Sequence, residues 1–121
     1  MKIYVCHSKK FDFKNELYVP LRNSPLNTKH EILFPHETEK FINSKEIIRA
    51  SDFVIAEVSY PSTAEGFELG WADCFEKQIL CIYKDGTKPS GSLKVITEKI
   101  ISYSDSSDMV VKITNVIENI K

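Results

Sequence analysis

Short runs of apolar residues alternate along this chain with longer stretches in which apolar positions recur every three or four residues. The runs are "KIYVC" at 2–6, "EILFP" at 31–35, "DFVIAEV" at 52–58, "QILCIY" at 78–83 and "KIISYS" at 99–104. Dense in Val, Ile and Tyr, they have the character of strands covered on both faces. The intervening stretches carry helical spacing. It appears at 13–24 through Phe13, Leu17 and Leu21, and at 37–51 through Phe41, Ile42, Ile47 and Ile48. It returns at 64–77, where Phe67, Trp71, Cys74 and Phe75 share a face, and at 107–120. Pro20 is expected to shorten or kink the first helix, because it lacks the N–H a helix interior needs. Strand and helix alternate almost throughout, which predicts an α/β fold with a parallel sheet and helices on both faces.

Composition narrows the function more than the fold. A chain of 121 residues suits one domain spanning 1–121, and 42% hydrophobic residues can form a core without disulfides or metals. Sixteen basic and seventeen acidic side chains leave a net charge of −1. Neither a nucleic-acid surface nor a membrane surface is expected of so balanced a chain, so a discrete small-molecule site is the expectation. Cys6, Cys74 and Cys81 show no metal-ligand or redox spacing, and each lies in an apolar run. They read as buried free thiols of a reducing compartment. No apolar stretch approaches the roughly 18 residues of a membrane span, and the first residues run straight into a strand. A cytoplasmic location is the expectation. His7, His30 and His36 lack ligand spacing, so no metal or cofactor is expected.

In an open parallel sheet, ligands gather outside the carboxyl ends of the strands. The segments there are "CHSKK", "PHET", "EVSYPST" and "KDGTKPSGS". Ser8, Ser62 and Ser92 fall in them, and hydroxyls beside helix-start amides bind phosphate oxygens. Lys9 and Lys10 could add charge or be solvated. Neither a GxxxxGK[ST] loop nor a GxGxxG turn is present, so a phosphomonoester fits better than ATP or a dinucleotide.

The corner "AEVSYPSTAEGFELGWA" at 56–72 gathers three glutamates. Glu57 ends a strand and is expected to orient the loop after it. "STAE" reads as a capping box, with Ser62 capping a helix and Glu65 reaching back to it. Glu68 lies in the first turns of that helix between Gly66 and Gly70. It is either a solvated helix glutamate or a carboxylate nucleophile held over the strand ends. Asp52 reads as a cap or turn residue. His7 is either an ordinary strand-end residue or a neighbour of a bound ligand.

From 50 to 84, "ASDFVIAEVSYPSTAEGFELGWADCFEKQILCIYK", together with "IYVCHS" at 3–8, resembles the nucleoside 2-deoxyribosyltransferase family. The similarity is greater to its 2'-deoxynucleoside 5'-phosphate N-hydrolase branch. The resemblance implies a flavodoxin-like (Rossmann-like) five-stranded parallel sheet. It also implies cleavage, without a cofactor, of the base–sugar bond of a (2'-deoxy)nucleoside 5'-monophosphate. The family's nucleophile falls on Glu68, and the tyrosine beside the sugar falls on Tyr4. Its 5'-phosphate ligands fall on Ser8 and Ser62, its basic residue on Lys10, and a serine donated by the partner of a homodimer on Ser92. The sugar and base would lie near Ser44 and His7. One departure stands out: the family's aspartate before the third strand falls on Ser44. Glu46, the nearest acid, is about 200° further around a helix. General acid catalysis is worth about 10²–10⁴-fold. A weak activity, a substitute proton donor, or a nucleotide-binding domain without turnover are the readings this leaves, besides a deoxyribosyltransferase.

Overall fold

The structure, a computed structural model, describes residues 1–120. Five strands form one parallel sheet: β1 (Lys2–His7), β2 (Glu31–Leu33), β3 (Phe53–Glu57), β4 (Gln78–Lys84) and β5 (Ile100–Tyr103). Their spatial order is β2-β1-β3-β4-β5. The order reverses between β1 and β3, so the crevice of a flavodoxin-like sheet opens beyond His7 and Glu57.

The helices are α1 (Val19–Arg22), α2 (Leu26–Lys29), α3 (Ser44–Ala50), α4 (Thr63–Cys74) and α5 (Ser106–Glu118). A π-helical turn, Lys14–Tyr18, leads into α1, and the Val19 N–H reaches the carbonyl of Lys14. This widened turn stands immediately before Pro20, whose missing N–H cannot extend a regular ladder. The expected disruption at Pro20 therefore takes the form of a π turn followed by a four-residue helix.

Alternation along the strands sorts the core into two layers. Ile3, Val5, Phe53, Ile55, Leu80 and Ile82 pack with Leu17, Leu21, Met109 and Ile113 on one face. Tyr4, Cys6, Val54, Ala56, Ile79 and Cys81 pack with Ile48, Leu69 and Ala72 on the other. Helices α3 and α4 thus lie on the second face, beside Tyr4.

Three expectations need correction. The helix expected over 37–51 begins only at Ser44, where the Asn43 side chain accepts from the Glu46 N–H. Phe41 lies outside it and is 90% exposed. On α4 the aromatic stripe is not the buried one: Glu65, Leu69 and Ala72 face the sheet. Phe67 is 60% exposed, while Trp71 and Phe75 lie under the cationic ends of Lys45 and Arg49. Two stripes of helical period coexist on α4, and period alone does not say which one meets the sheet. Finally, Cys6 and Cys81 are buried but Cys74, which shares the outer stripe, is exposed.

Candidate active site

Helix α4 starts at Ser62, whose extended backbone and hydroxyl cap it, accepting from the Glu65 N–H at 3.4 Å. One turn later Glu68 faces β1. The buried Tyr4 hydroxyl donates to Glu68 Oε2 at 2.5 Å. Ser44, the first residue of α3, also lies beside this carboxyl. Burial raises the pKa of Glu68 above its ordinary value, and the Tyr4 and Ser44 hydroxyls oppose that rise by favouring the ionised form. Burial and the neighbouring Glu68 push the Tyr4 phenol up, so Tyr4 remains a proton donor to the carboxylate. Glu46 points away, is exposed and pairs with Arg49 at 3.4 Å.

Three of the four residues expected to hold a phosphate, Lys10, Ser62 and Ser92, lie along one cavity beside the start of α4. Lys10, Tyr60, Ser62, Glu65, Ser90 and Ser92 are among those lining this cavity of about 790 Å³. Lys10 Nζ donates to the Pro61 carbonyl at 2.8 Å, which ties the loop after β1 to the loop after β3. Ser8 is buried beneath, its hydroxyl accepting from the Lys10 N–H at 3.1 Å. Ser92 is the second residue of a 3₁₀ turn, Gly91–Val95, and its N–H donates to Oγ of Ser90, the residue that caps the turn. It reaches this cavity from the same chain as Ser62. The cavity lining does not include Glu68 or Tyr4. Lys10, Ser62 and Ser92 thus form one group, and Tyr4, Ser44 and Glu68 a second.

Glu65 departs from its expected role. Its backbone N–H completes the Ser62 cap, but its carboxyl does not reach back. That carboxyl turns under the helix, is 4% exposed, and has no hydrogen-bond partner on Oε2. Burial, with Glu57 and Glu68 nearby, pushes its pKa up to about 9. The capping-box pattern overlooks this because Glu65 also occupies the sheet-facing stripe, four residues before Leu69 and seven before Ala72. Spacing at i, i+4 and i+7 was the signal that could have identified it. Ser90 was also missed, and its position beside Ser92 in a Gly/Pro-rich loop carries no distinguishing pattern.

His7 is not brought to Glu68. It takes the other face of the sheet, where Nδ1 donates to the Ser8 carbonyl at 2.7 Å and Nε2 accepts from the Tyr18 hydroxyl at 2.6 Å. Tyr18 in turn accepts from the His36 N–H. Burial lowers the His7 pKa to about 4, so the ring is neutral and its tautomer follows from these partners. Glu57 is on that face too, accepting from the Ser59 N–H, the Ser59 hydroxyl and the Tyr103 hydroxyl. Asp52 accepts from the Lys2 N–H at 2.8 Å. Among the described residues no group of three His, Cys, Asp or Glu side chains is disposed to hold a metal. No described helix is long and apolar enough to cross a membrane.

No protein-family model matches the chain. The 5-hydroxymethyl-dUMP N-hydrolase of Tetraodon nigroviridis is 40% identical over 48 residues, a match covering 38% of this chain and 34% of that relative. The chain therefore spans about a third of that curated relative. A CMP N-glycosidase from Clostridium botulinum superposes with a TM-score of 0.70 at 17% identity, covering 94% of this chain and 99% of that one. A 2-deoxyribosyltransferase from Bacillus psychrosaccharolyticus gives a TM-score of 0.61 at 18% identity, covering 100% and 93%. At such identities the structural likeness shows the fold alone. In sequence, over the matched segment, the chain is similar to 5-hydroxymethyl-dUMP N-hydrolases, and in fold it is similar to an N-glycosidase and a 2-deoxyribosyltransferase. A second 5-hydroxymethyl-dUMP N-hydrolase, from Esox lucius, is 39% identical over 59 residues, 47% of this chain and 41% of that relative.

Proposed function

We propose that the protein is an N-glycosidase that hydrolyses the base–sugar bond of (2'-deoxy)nucleoside 5'-monophosphates, with Glu68 as nucleophile. The observation that carries this reading is the Tyr4–Glu68 hydrogen bond at 2.5 Å, beside the capped start of α4. Tyr4 fixes the carboxyl and, against the effect of burial, favours its ionised form. In the reaction Glu68 attacks C1' of the sugar, and the C1'–N bond breaks with its electron pair going to the base. Water then cleaves the glycosyl ester, restoring the carboxylate. The departing base needs a proton, and Ser44 offers a hydroxyl where the family resemblance implies an acid. Ser62, Ser92, Ser8 and Lys10 are the residues we assign to the 5'-phosphate. The protein acts, on this reading, as a cytoplasmic homodimer that requires no cofactor. The outward Phe67–Trp71 pair, with ring centroids 6.4 Å apart, supplies apolar surface for a second copy to cover.

Chromatography of free base released from a panel of deoxynucleoside monophosphates tests the proposal. Base released by the wild type and abolished in Glu68→Gln is the expected result, and no base from any monophosphate at high enzyme concentration would refute it. Base exchange between a nucleoside and an added free base, with little hydrolysis, would mark a deoxyribosyltransferase instead. Ser44 favours one further reading, a nucleotide-binding domain without turnover. Nucleotide binding by calorimetry with no base release would select it.

A further inference from the structure

The cavity on the Ser62 flank of α4 holds one feature that the proposed reaction leaves without a role. Glu65 is among the residues lining the cavity, and its carboxyl is buried with no partner on Oε2. A buried polar atom without a partner is costly and uncommon in native structures. The remaining lining is suited to an anion: the Ser62, Ser90 and Ser92 hydroxyls, the Lys10 side chain, and the first turn of a 12-residue helix. An ionised carboxylate would oppose such a ligand, whereas a protonated carboxyl offers it an O–H.

The groups facing Glu65 favour the protonated form. Cys6 on β1 and Cys81 on β4 are buried thiols whose own pKa values its carboxyl raises. Glu57 at the end of β3 and Glu68 on α4 are acidic and disfavour a further negative charge. Lys10 and Tyr60 stand on the cavity lining, and the Lys10 ammonium is already directed at the Pro61 carbonyl. Burial and these acids keep the proton on Glu65 to about pH 9.

We propose that the Glu65 carboxyl is a hydrogen-bond donor to a phosphate oxygen of a nucleoside monophosphate seated in this cavity. The proposal rests on the nucleotide reading above and adds a residue to it. A phosphate dianion bound against Glu65 raises the proton affinity of the carboxyl further, so phosphate binding and proton retention reinforce each other. Ionisation of Glu65 removes the donor and places a like charge against the ligand.

Calorimetric binding of deoxyribose 5-phosphate and of deoxyribose, neither of which carries a base to be cleaved, tests this. Wild type, Glu65→Gln and Glu65→Ala are compared from pH 7 to pH 9.5. Glu65→Gln keeps an N–H donor that does not titrate, so it should bind the phosphate sugar as the wild type does at pH 7. Glu65→Ala should bind it roughly 10- to 100-fold more weakly, the range of a hydrogen bond to a charged group. Wild-type affinity should fall towards pH 9.5 more steeply than that of Glu65→Gln, a difference that isolates Glu65 because every other group is common to both proteins. If Glu65→Ala does not fold, this difference in pH profile decides the matter. Equal affinities and parallel profiles in all three proteins, with the wild type still preferring the phosphate sugar, would overturn the role of Glu65 alone. A wild type that binds both sugars equally would overturn the phosphate assignment itself, and the role of Glu65 with it.

Discussion

The two faces of the sheet treat their buried polar groups in opposite ways. On the α1 and α5 side, Glu57 is saturated by Ser59 and Tyr103, and the Ser59 hydroxyl also accepts from the Lys84 N–H at 2.8 Å. His7, Tyr18 and His36 form an equally complete chain there. On the α3 and α4 side, Glu68 holds a hydrogen bond from Tyr4, and Glu65 leaves an oxygen bare. A polar group whose partners are all intramolecular tightens the fold, whereas an incompletely partnered one retains capacity for a ligand. Three glutamates from one corner of the chain thus divide into one saturated within the fold and two with fewer partners.

Several substitutions would break or sharpen this contrast. The largest effect is expected from Glu68→Gln, which should lower base release on the order of 10⁴- to 10⁶-fold with little change in thermal midpoint. A variant that retains most of the wild-type turnover would end the case for this nucleophile. Next, Glu57→Ala strands the Tyr103 hydroxyl and the Ser59 N–H, and should cost about 3 kcal/mol of stability in denaturant titrations. Substitution at Glu65 should run the other way: Glu65→Leu replaces an unpartnered carboxyl with apolar volume and should stabilise the fold by about 1–3 kcal/mol. If both substitutions destabilise equally, the proposed difference between the faces is lost.

The pH dependence separates the same groups. Glu65 is protonated in the native chain to about pH 9, against an ordinary value of 4.5. Unfolding therefore releases a proton between these limits, so stability falls as pH rises from about 4.5 to about 9. Glu65→Gln should flatten that slope in midpoints measured across the window. For Glu68, burial places the acidic limb of kcat/KM above the ordinary carboxylate range. Tyr4→Phe removes a hydrogen bond that favours ionisation and should move the limb to still higher pH. The smallest effect is expected at the far end of α4. There Glu76 has φ of +59°, with its N–H on the Asp73 carbonyl and the Lys77 N–H on that of Ala72. In this left-handed helix stop, Glu76→Gly should stabilise the fold by about 1 kcal/mol.

The pattern of apolar positions carried the five strands, their parallel arrangement and the position of α4, because strand and helix periods are local properties of the chain. The segment around "GFELG", with "IYVCHS" at 3–8, carried the family resemblance and pointed to Glu68, Ser62 and Tyr4. Less legible was the orientation of α4. Its aromatic stripe and its Glu65–Leu69–Ala72 stripe have the same period, and only the sheet beneath decides which is buried. Glu65 follows from that choice: the capping-box sequence is satisfied through its backbone while its side chain is drawn under the helix. His7 illustrates the same limit, since strand alternation turns it from Tyr4 towards Tyr18. The sequence by itself determined the fold class, a family resemblance and a nucleophile candidate, all of which depend on local period and motif. Only the tertiary structure decided which carboxyls are satisfied and which is buried without a partner, because burial and partnering depend on residues distant along the chain.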